Sequence, residues 1–307
     1  MTFADALAPG TGRRPRPLED SAARTAAVPS PVTRTRGDTV EAAPRDNNGS
    51  LALDPAWEHE RLRLEMLAAM TDPATIEILD ACAPDHPREI VEIGAGAGTV
   101  ARHLARRHPG ARVWATDIDL RHLDGGGLPN LVPLRHDAAV DPAPVRGVDL
   151  IHCRSVLIFL DDPQAVLGRL AGWLAPGGCI VVEELAGFPP YDPTTVVGGA
   201  LDAVSQVLSR DAGADPQWVR DLMVDPPQPL VRHGLTDCGA QMRVYPFRPG
   251  SAASEFSRLT LEQLRPRLLG RGHLTAAQFE AAVSRLRDDD LAEPSSSVLS
   301  VWGHRPR

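Results

Sequence analysis

Residues 90–98 read Ile-Val-Glu-Ile-Gly-Ala-Gly-Ala-Gly and constrain the fold of this chain more than any other stretch. The run 90–93, rich in β-branched residues, predicts a short buried strand, and the glycines after it predict a tight turn. The amphipathic segment 99–108 then predicts a helix, which Pro109-Gly110 ends. A strand, a glycine turn and a helix N-terminus in this order leave backbone N–H groups open to a bound molecule.

The glycine spacing indicates what kind of molecule this is. The spacing is G-x-G-x-G, whereas dinucleotide-binding dehydrogenases use G-x-G-x-x-G, in which the third glycine serves helix–strand packing near a pyrophosphate. Glu92, two positions before the first glycine, would also repel a phosphate. The pattern therefore favours a cationic or zwitterionic nucleoside, and a tight turn without a ligand is the alternative.

Composition narrows the class of protein. The chain has 307 residues and a formal net charge of −8, which gives no support to a nucleic-acid partner because such proteins carry a basic stripe. Neither a run of 18 apolar residues nor a basic-plus-apolar leader is visible, so we expect a cytoplasmic protein without a membrane span. Four scattered cysteines without a C-x-x-C pair argue against a zinc site or a disulfide framework. All 32 Lys and Arg residues are Arg, which excludes Schiff-base chemistry on a lysine.

The first 50 residues differ in composition from the rest. Prolines are interleaved there with Ala, Thr, Arg and Gly, without hydrophobic periodicity. Such a segment cannot bury enough apolar surface to offset its ordering entropy. We expect residues 1–50 to be a disordered tail, with a partner-docking arm as the alternative, and residues 51–307 to be the folded domain.

Strands and helices are expected to alternate along this domain. Asp54-Pro55 is expected to begin an N-terminal helix, and Thr71-Asp-Pro73 a second helix through Leu79. Because strand–helix alternation favours parallel pairing with right-handed crossovers, we predict an α/β fold with a Rossmann-like, doubly wound sheet. The predicted strands are 89–93, 111–116, 131–135, 148–153, 179–184, 241–247 and 297–302, and helices such as 99–108 and 163–174 lie between most of the first five.

Five motifs stand in a fixed order within residues 85–185. They are Glu92-Ile-Gly-Ala-Gly-Ala-Gly98, Asp117, His136-Asp137, Val148-Asp-Leu-Ile-His-Cys-Arg154 and Leu174-Ala-Pro-Gly-Gly178. As a set they resemble the motifs of class I S-adenosylmethionine-dependent methyltransferases. The resemblance implies S-adenosyl-L-methionine as the cofactor, and a seven-stranded sheet whose last strand lies antiparallel between strands five and six. The flanks Trp57-Glu-His-Glu-Arg61 and Leu235-Thr-Asp-Cys-Gly239 are similar to small-molecule methyltransferases of GC-rich bacteria.

The resemblance implies a role for each residue of the cofactor site. Asp117 would accept hydrogen bonds from the ribose hydroxyls, with Asp119 as the rival. Asp137 would accept from the adenine amine, beside the Ala138 N–H, whereas capping of a local helix is the alternative for Asp137. The predicted cofactor-binding set is Glu92, Gly94, Ala95, Gly96, Gly98, Asp117, Ile118, Asp137, Ala138 and Cys153, and no metal ligand is predicted.

Catalysis by methyl transfer needs mainly alignment of the acceptor, because the sulfonium is already an activated leaving group. His152, at the end of the fourth strand, is the candidate general base, and a packed or hydrogen-bonding histidine is the alternative. Phe159 stands where similar sequences often carry histidine, which removes one familiar base. Glu183 or Glu184 could bind an acceptor amine or hydroxyl, or face solvent.

We expect N-terminal helices at 51–84 and a cofactor-binding core at 85–185. In this architecture the segments 186–234 and 251–290 are then expected to form a helical lid over the acceptor. The aromatic, sulfur-containing or titratable residues of this lid are Phe188, Tyr191, Trp218, Met223 and His233. We expect methyl transfer to a small molecule, a specialised metabolite, by a protein that could be a homodimer. The alternatives are a non-catalytic nucleotide-binding scaffold of the same fold, a dehydrogenase-like protein, and a protein methyltransferase.

Overall fold

A computed structural model describes residues 53–186, 192–211, 214–293 and 296–307. The predicted tail at 1–50 and the predicted lid residues Phe188 and Tyr191 lie outside these ranges. The strands are β1 Glu89–Ile93, β2 Arg112–Asp117, β3 Leu131–Arg135, β4 Val148–Arg154, β5 Leu174–Ala186, β6 Thr236–Tyr245 and β7 Ser296–His304. The helices are α1 Glu60–Cys82, α2 Thr99–Arg107, α3 Pro163–Trp173, α4 Val196–Asp211, α5 Pro216–Val224, α6 Gln228–Val231, α7 Ala252–Gly270 and α8 Ala276–Arg285, with a 3₁₀ turn at Leu157–Phe159.

The strands form one sheet in the order β3-β2-β1-β4-β5-β7-β6. Strands β1 to β5 pair in parallel, while β7 lies antiparallel between β5 and β6. The predicted α/β fold, including the position of the last strand, is therefore confirmed. The strand order reverses between β1 and β4, and open α/β sheets bind ligands at the carboxyl ends of the strands beside such a point.

The two faces of the sheet are buried under different helices. Val91, Ile151 and Val182 pack with residues of α3 and α5 on one face. Ile90, Leu150 and Val181 pack with residues of α1 and α2 on the other. A strand such as β4 is apolar on both sides for this reason, and consecutive residues along it face opposite layers.

Helix α1 corrects the prediction of two N-terminal helices. A single helix runs from Glu60 to Cys82 with Pro73 inside it. Asp54 lies in a turn before this helix, where its Oδ1 accepts from Ala56 N (2.8 Å) and its backbone O accepts from Trp57 N (3.1 Å). A proline inside a helix removes one hydrogen bond and costs about 3 kcal/mol. Packing offsets this cost, because α1 is buried against α7 and the sheet along much of its length.

Two strands begin earlier than their hydrophobic runs predict. β5 begins at Leu174, which pairs with Val148 across a bulge, five residues before the predicted start at Cys179. β6 begins at Thr236 rather than residue 241 because a register shift and a positive φ at Asp237 let a polar segment pair with β7. Its predicted end at Phe247 is also wrong, since that side chain leaves the strand and is buried among the later helices.

Helices α4, α7 and α8 pack on one another. They lie within the segments after the fifth strand that are predicted to be helical. Among the helices that the structure describes, none combines the length and apolar character that a bilayer span requires.

Candidate functional site

The glycine turn after β1 adopts a backbone that only glycine accepts easily. Gly94, Gly96 and Gly98 have φ of +69°, +52° and +73°, in the left-handed region where side chains are strained. Space is also limiting at the first glycine, because a Cβ there would lie 2.2 Å from Cγ2 of Val156. Val156 follows β4, so the turn and the end of β4 form two walls of one site.

Backbone hydrogen bonds hold the turn against the neighbouring strand. Ala95 N donates to Thr116 O (2.9 Å) and Gly98 N donates to Ala95 O (2.7 Å). Gly96 N donates to Oδ2 of Asp117 (2.9 Å), at the carboxyl end of β2. The predicted glycine turn and Asp117, the residue predicted to bind the ribose, are thus in direct contact.

The carboxylate of Asp117 retains capacity for a further partner. Its Oδ1 accepts from Asp119 N (3.0 Å) and its Oδ2 from Gly96 N, which leaves lone pairs on both oxygens. Burial raises the pKa of Asp117, although these backbone hydrogen bonds oppose the rise. The rival Asp119 lies 2.9 Å from Nη2 of Arg121, which lowers the pKa of Asp119, so its carboxylate is already paired with a cation.

The predicted adenine residues lie beyond the end of β2 and β3. Ile118 is 42% exposed and lines a shallow cavity of about 300 Å³ with Asp119, Leu120 and Arg135. Asp137 Oδ1 accepts from Ala139 N (2.9 Å), and Asp137 N donates to Asp141 Oδ2 (2.8 Å). Asp137 therefore caps a local turn, which is close to the alternative expected for it; Ala138 beside it is buried.

His152 is enclosed between two carboxylates. Its Nδ1 lies 3.6 Å from Oε1 of Glu92 on β1, and its Nε2 lies 3.2 Å from Oε2 of Glu183 on β5. Burial alone would lower the pKa of His152, but the hydrogen bonds and charges of Glu183 and Glu92 outweigh it and raise the pKa. Burial likewise opposes ionisation of Glu183, yet His152 and Arg154 hold the pKa of Glu183 at about 2.

This geometry argues against His152 as the general base. The side chain is 1% exposed, and each ring nitrogen faces a carboxylate. The neighbouring carboxylates raise its pKa, which favours the protonated imidazolium, a form that has no lone pair with which to accept a proton. The alternative of a hydrogen-bonding histidine fits the structure.

Glu183 extends this polar network to α1 and β7. Its Oε2 accepts from Thr75 Oγ1 (2.5 Å) and its Oε1 from Ser300 Oγ (2.6 Å). Arg154 donates to Thr75 Oγ1 (3.0 Å) and to Asp72 Oδ1 (2.9 Å). Sequence reasoning missed Thr75, Ser300 and Asp72 because they come from distant elements, and only the two glutamates inside an apolar strand signalled a buried network.

Cys153 and Glu184 face the opposite side of the sheet from His152 and Glu183. Cys153 was expected to line the cofactor, but it is fully buried in the apolar cluster under α3 and α5, and burial raises its pKa well above the usual range. Glu184 accepts from Trp218 Nε1 and Ile158 N (both 3.1 Å). Burial raises the pKa of Glu184 to about 8. Neither glutamate of β5 faces solvent, so the alternative of a solvent-exposed glutamate is wrong.

The described lid residues pack into the core. Trp218 is buried against Glu184, and Met223 packs on the apolar cluster of the same face. His233 Nε2 lies 3.3 Å from Gln164 Oε1, and a Cβ at Gly168 would lie 2.8 Å from its ring. Asp149 accepts from the backbone N of Arg88 and Glu89 at the amino end of the sheet, which gives it a structural role.

Two buried oxygens beside the glycine turn have no hydrogen-bond partner among the described residues. They are Oε2 of Glu92 and Oγ of Ser155. Ser155 also has a φ of +55°, a conformation that costs a non-glycine residue about 1–3 kcal/mol and clusters at functional sites. An unpartnered carboxylate oxygen and a strained hydroxyl residue, each next to the turn, indicate a place for a polar ligand.

Comparison with known proteins agrees with this geometry. Residues 91–180 match the sequence model of a family described as a methyltransferase domain. The methyltransferase str2 of Strobilurus tenacellus is 32% identical over 141 residues, covering 44% of this chain and 50% of that protein. The trans-aconitate 2-methyltransferase of Pseudomonas aeruginosa is 34% identical over 122 residues, covering 38% and 42%. The solved YcgJ protein of Bacillus subtilis has a TM-score of 0.51 at 14% identity, covering 77% of this chain and 99% of that one.

The strand order and the likeness to YcgJ show a Rossmann-like α/β fold. Residues 91–180, which include most of the five sequence motifs, match the methyltransferase domain family. The chain spans about half the length, or less, of the two curated relatives that it matches.

Proposed function

We propose that this protein transfers a methyl group from S-adenosyl-L-methionine to a small-molecule acceptor, a specialised metabolite. The observation that carries the proposal is the glycine turn, which is braced by Asp117 and follows Glu92, whose Oε2 is buried without a partner among the described residues. The names of the two relatives, both methyltransferases, support it.

The residues present suit this cofactor along its length. The three glycines allow a nucleoside to approach the backbone closely, since a Cβ at Gly94 would fill the space beside Val156. Asp117 would accept hydrogen bonds from the ribose hydroxyls, with Ile118 against the adenine and Asp137 and Ala138 at its edge. Glu92 would face the ammonium group of the methionine end, because one of its carboxylate oxygens is buried without a hydrogen-bond partner among the described residues.

When bound, the cofactor supplies a methyl group on a sulfonium, which needs no further activation. The chain then has to bind, orient and exclude water from the acceptor. We assign no general base, because His152 is buried between Glu92 and Glu183, whose carboxylates favour its protonated form. We therefore propose that alignment dominates catalysis.

The acceptor would lie over the carboxyl ends of β4 and β5, near Ser155, under the segments that follow β5. Ser155 Oγ is the free polar group that the described chain offers there. We keep the expectation of a cytoplasmic enzyme, with homodimer formation as a hypothesis.

The proposal is tested by incubating the purified protein with methyl-labelled S-adenosylmethionine and extracts of its producing cells. We expect label to appear in a small molecule, with no label in protein or nucleic acid. Cofactor binding without any transfer would support the non-catalytic scaffold, and label in protein would support the protein methyltransferase.

A further inference from the structure

We infer that His152 is a positioning residue that orients and charge-balances Glu92, so that the free oxygen of Glu92 can bind the ammonium end of the cofactor. This inference rests on the proposed function. It concerns a residue that does not itself touch the ligand but acts through a neighbouring carboxylate.

The geometry places His152 at the centre of a line of three side chains on one face of the sheet. Glu92, His152 and Glu183 come from the adjacent strands β1, β4 and β5. The imidazole contacts Glu92 only through Oε1 (3.6 Å), whereas Oε2 of Glu92 is buried without a partner. One carboxylate oxygen of Glu92 thus faces the imidazole, and the other is buried without a hydrogen-bond partner, two residues before the glycine turn.

The distal side of the imidazole is fixed more firmly. Glu183 receives hydrogen bonds from Thr75 and Ser300, at 2.5 and 2.6 Å, and it holds Nε2 of His152 at 3.2 Å. Helix α1 and strand β7 thereby hold the Nε2 side of the ring, and Nδ1, which makes no hydrogen bond among the described residues, faces Oε1 of Glu92 at ion-pair distance (3.6 Å). This direction of support, from the sheet interior towards the turn, is what a positioning residue requires.

The charges of the network do not balance among the described residues. It contains three carboxylates, Glu92, Glu183 and Asp72, and two basic groups, His152 and Arg154. Even with His152 protonated, the carboxylates outnumber the basic groups by one, and Oε2 of Glu92 is buried without a hydrogen-bond partner. A buried anion of this kind requires a counter-charge, and the ammonium group of the cofactor would supply it.

The other titratable group near this network is Tyr245 of β6, whose pKa is raised by burial and by Glu183, so it is neutral at physiological pH. Glu77 and Arg243 pair with each other (2.8 Å) at the rim. Because the pKa of His152 is raised, the ring loses its charge only as the pH rises through that higher value. Glu183, with a pKa of about 2, stays ionised throughout.

The experiment compares two ligands that differ in the ammonium-bearing part. S-adenosylhomocysteine carries the amino-acid end, and 5′-methylthioadenosine lacks it. By calorimetry, we expect His152→Gln to weaken S-adenosylhomocysteine about tenfold, as for a charge-assisted contact, while the affinity for 5′-methylthioadenosine changes less than about twofold. Glu92→Gln should give the same selective loss, and the double variant should be no weaker than Glu92→Gln alone. His304→Gln is the matched control and should leave both affinities unchanged. His304 belongs to the same sheet but lies beside Cys179, far from the carboxyl end of β5.

Two results would overturn the inference: an equal loss for both ligands in His152→Gln, which indicates a merely structural role, or multiplied losses in the double variant. If the wild-type protein binds neither ligand, the proposed function fails as well, and the two failures are thereby distinguished.

Should His152→Gln not fold, Glu183→Gln provides the test. Removing this carboxylate lowers the stabilisation of the imidazolium. The pH at which S-adenosylhomocysteine affinity declines, relative to 5′-methylthioadenosine, should therefore move below its wild-type position. Coinciding profiles would contradict the inference, since the ligand's own amine titrates identically in both experiments.

Discussion

Asp117 has two tasks at the end of β2. Its carboxylate braces the glycine turn through Gly96 N and, in our proposal, accepts hydrogen bonds from the ribose. Asp119, only two residues away, is paired with Arg121, and its side chain is partly exposed to solvent. The choice between the two aspartates, which the sequence left open, thus has a structural basis.

Asp117→Ala should weaken S-adenosylhomocysteine binding by about 1.5–3 kcal/mol, or about 10- to 150-fold, the range for hydrogen bonds to a charged group. Asp119→Ala is the matched control and should change the affinity by less than about twofold. Calorimetry gives both numbers. The reverse ranking of the two variants would transfer the ribose role to Asp119.

The His152 ring also makes a prediction about rate. If alignment dominates, His152→Asn should keep kcat within about tenfold of wild type once the cofactor is saturating, because no proton passes through the imidazole. A general base would instead contribute about 10²–10⁴-fold. A variant that binds cofactor normally and is nearly inactive at saturation would restore His152 as the base.

At the scale of elements, Glu184 joins three parts of the fold. It lies on β5 and accepts from Trp218 of α5 and from Ile158 of the 3₁₀ turn. Its pKa rises from 4.5 to about 8 because the side chain is buried. The folded state therefore holds this proton more tightly than the unfolded chain, and stability is lost as the pH rises from about 4.5 through 8.

Glu184→Gln should remove this pH dependence, because the amide stays neutral. Between pH 5 and 8, the free energy of unfolding of wild type should fall relative to the variant by at most ~1.4 kcal/mol per pH unit. Urea denaturation at several pH values measures the difference. Parallel pH profiles for the two proteins would show that the carboxyl ionises freely in the fold.

Helix α1 shows packing overriding a local signal. Pro73 is exposed and stands fourteen positions into the helix, where it cannot donate to the preceding turn. Pro73→Ala should stabilise the protein by about 1–2 kcal/mol, since it restores one hydrogen bond at the cost of a more flexible unfolded chain. A loss of stability in urea denaturation would contradict this account and would mean that the proline stabilises the helix in its packed setting.

At the scale of the whole molecule, the fold was predictable because its signals are local. The apolar runs of β1 to β4 and the glycine turn mark the parallel part of the sheet. The resemblance that the ordered motifs carry implied the position of β7. The polar start of β6 was not predictable, since Asp237 and its bulge matter only beside β7. The network from Glu92 to Thr75 and Ser300 was equally hidden, because its members lie far apart in sequence and meet only in the sheet.

The central claim is that the glycine turn, Asp117 and Glu92 form a site for a cationic or zwitterionic nucleoside rather than an anionic dinucleotide. The most direct test is a pair of calorimetric titrations of the wild-type protein, with S-adenosylhomocysteine and with NAD⁺, whose pyrophosphate Glu92 would repel. We predict saturable binding of one S-adenosylhomocysteine per chain and no measurable binding of NAD⁺. Binding of NAD⁺, or failure to bind S-adenosylhomocysteine, would contradict the account.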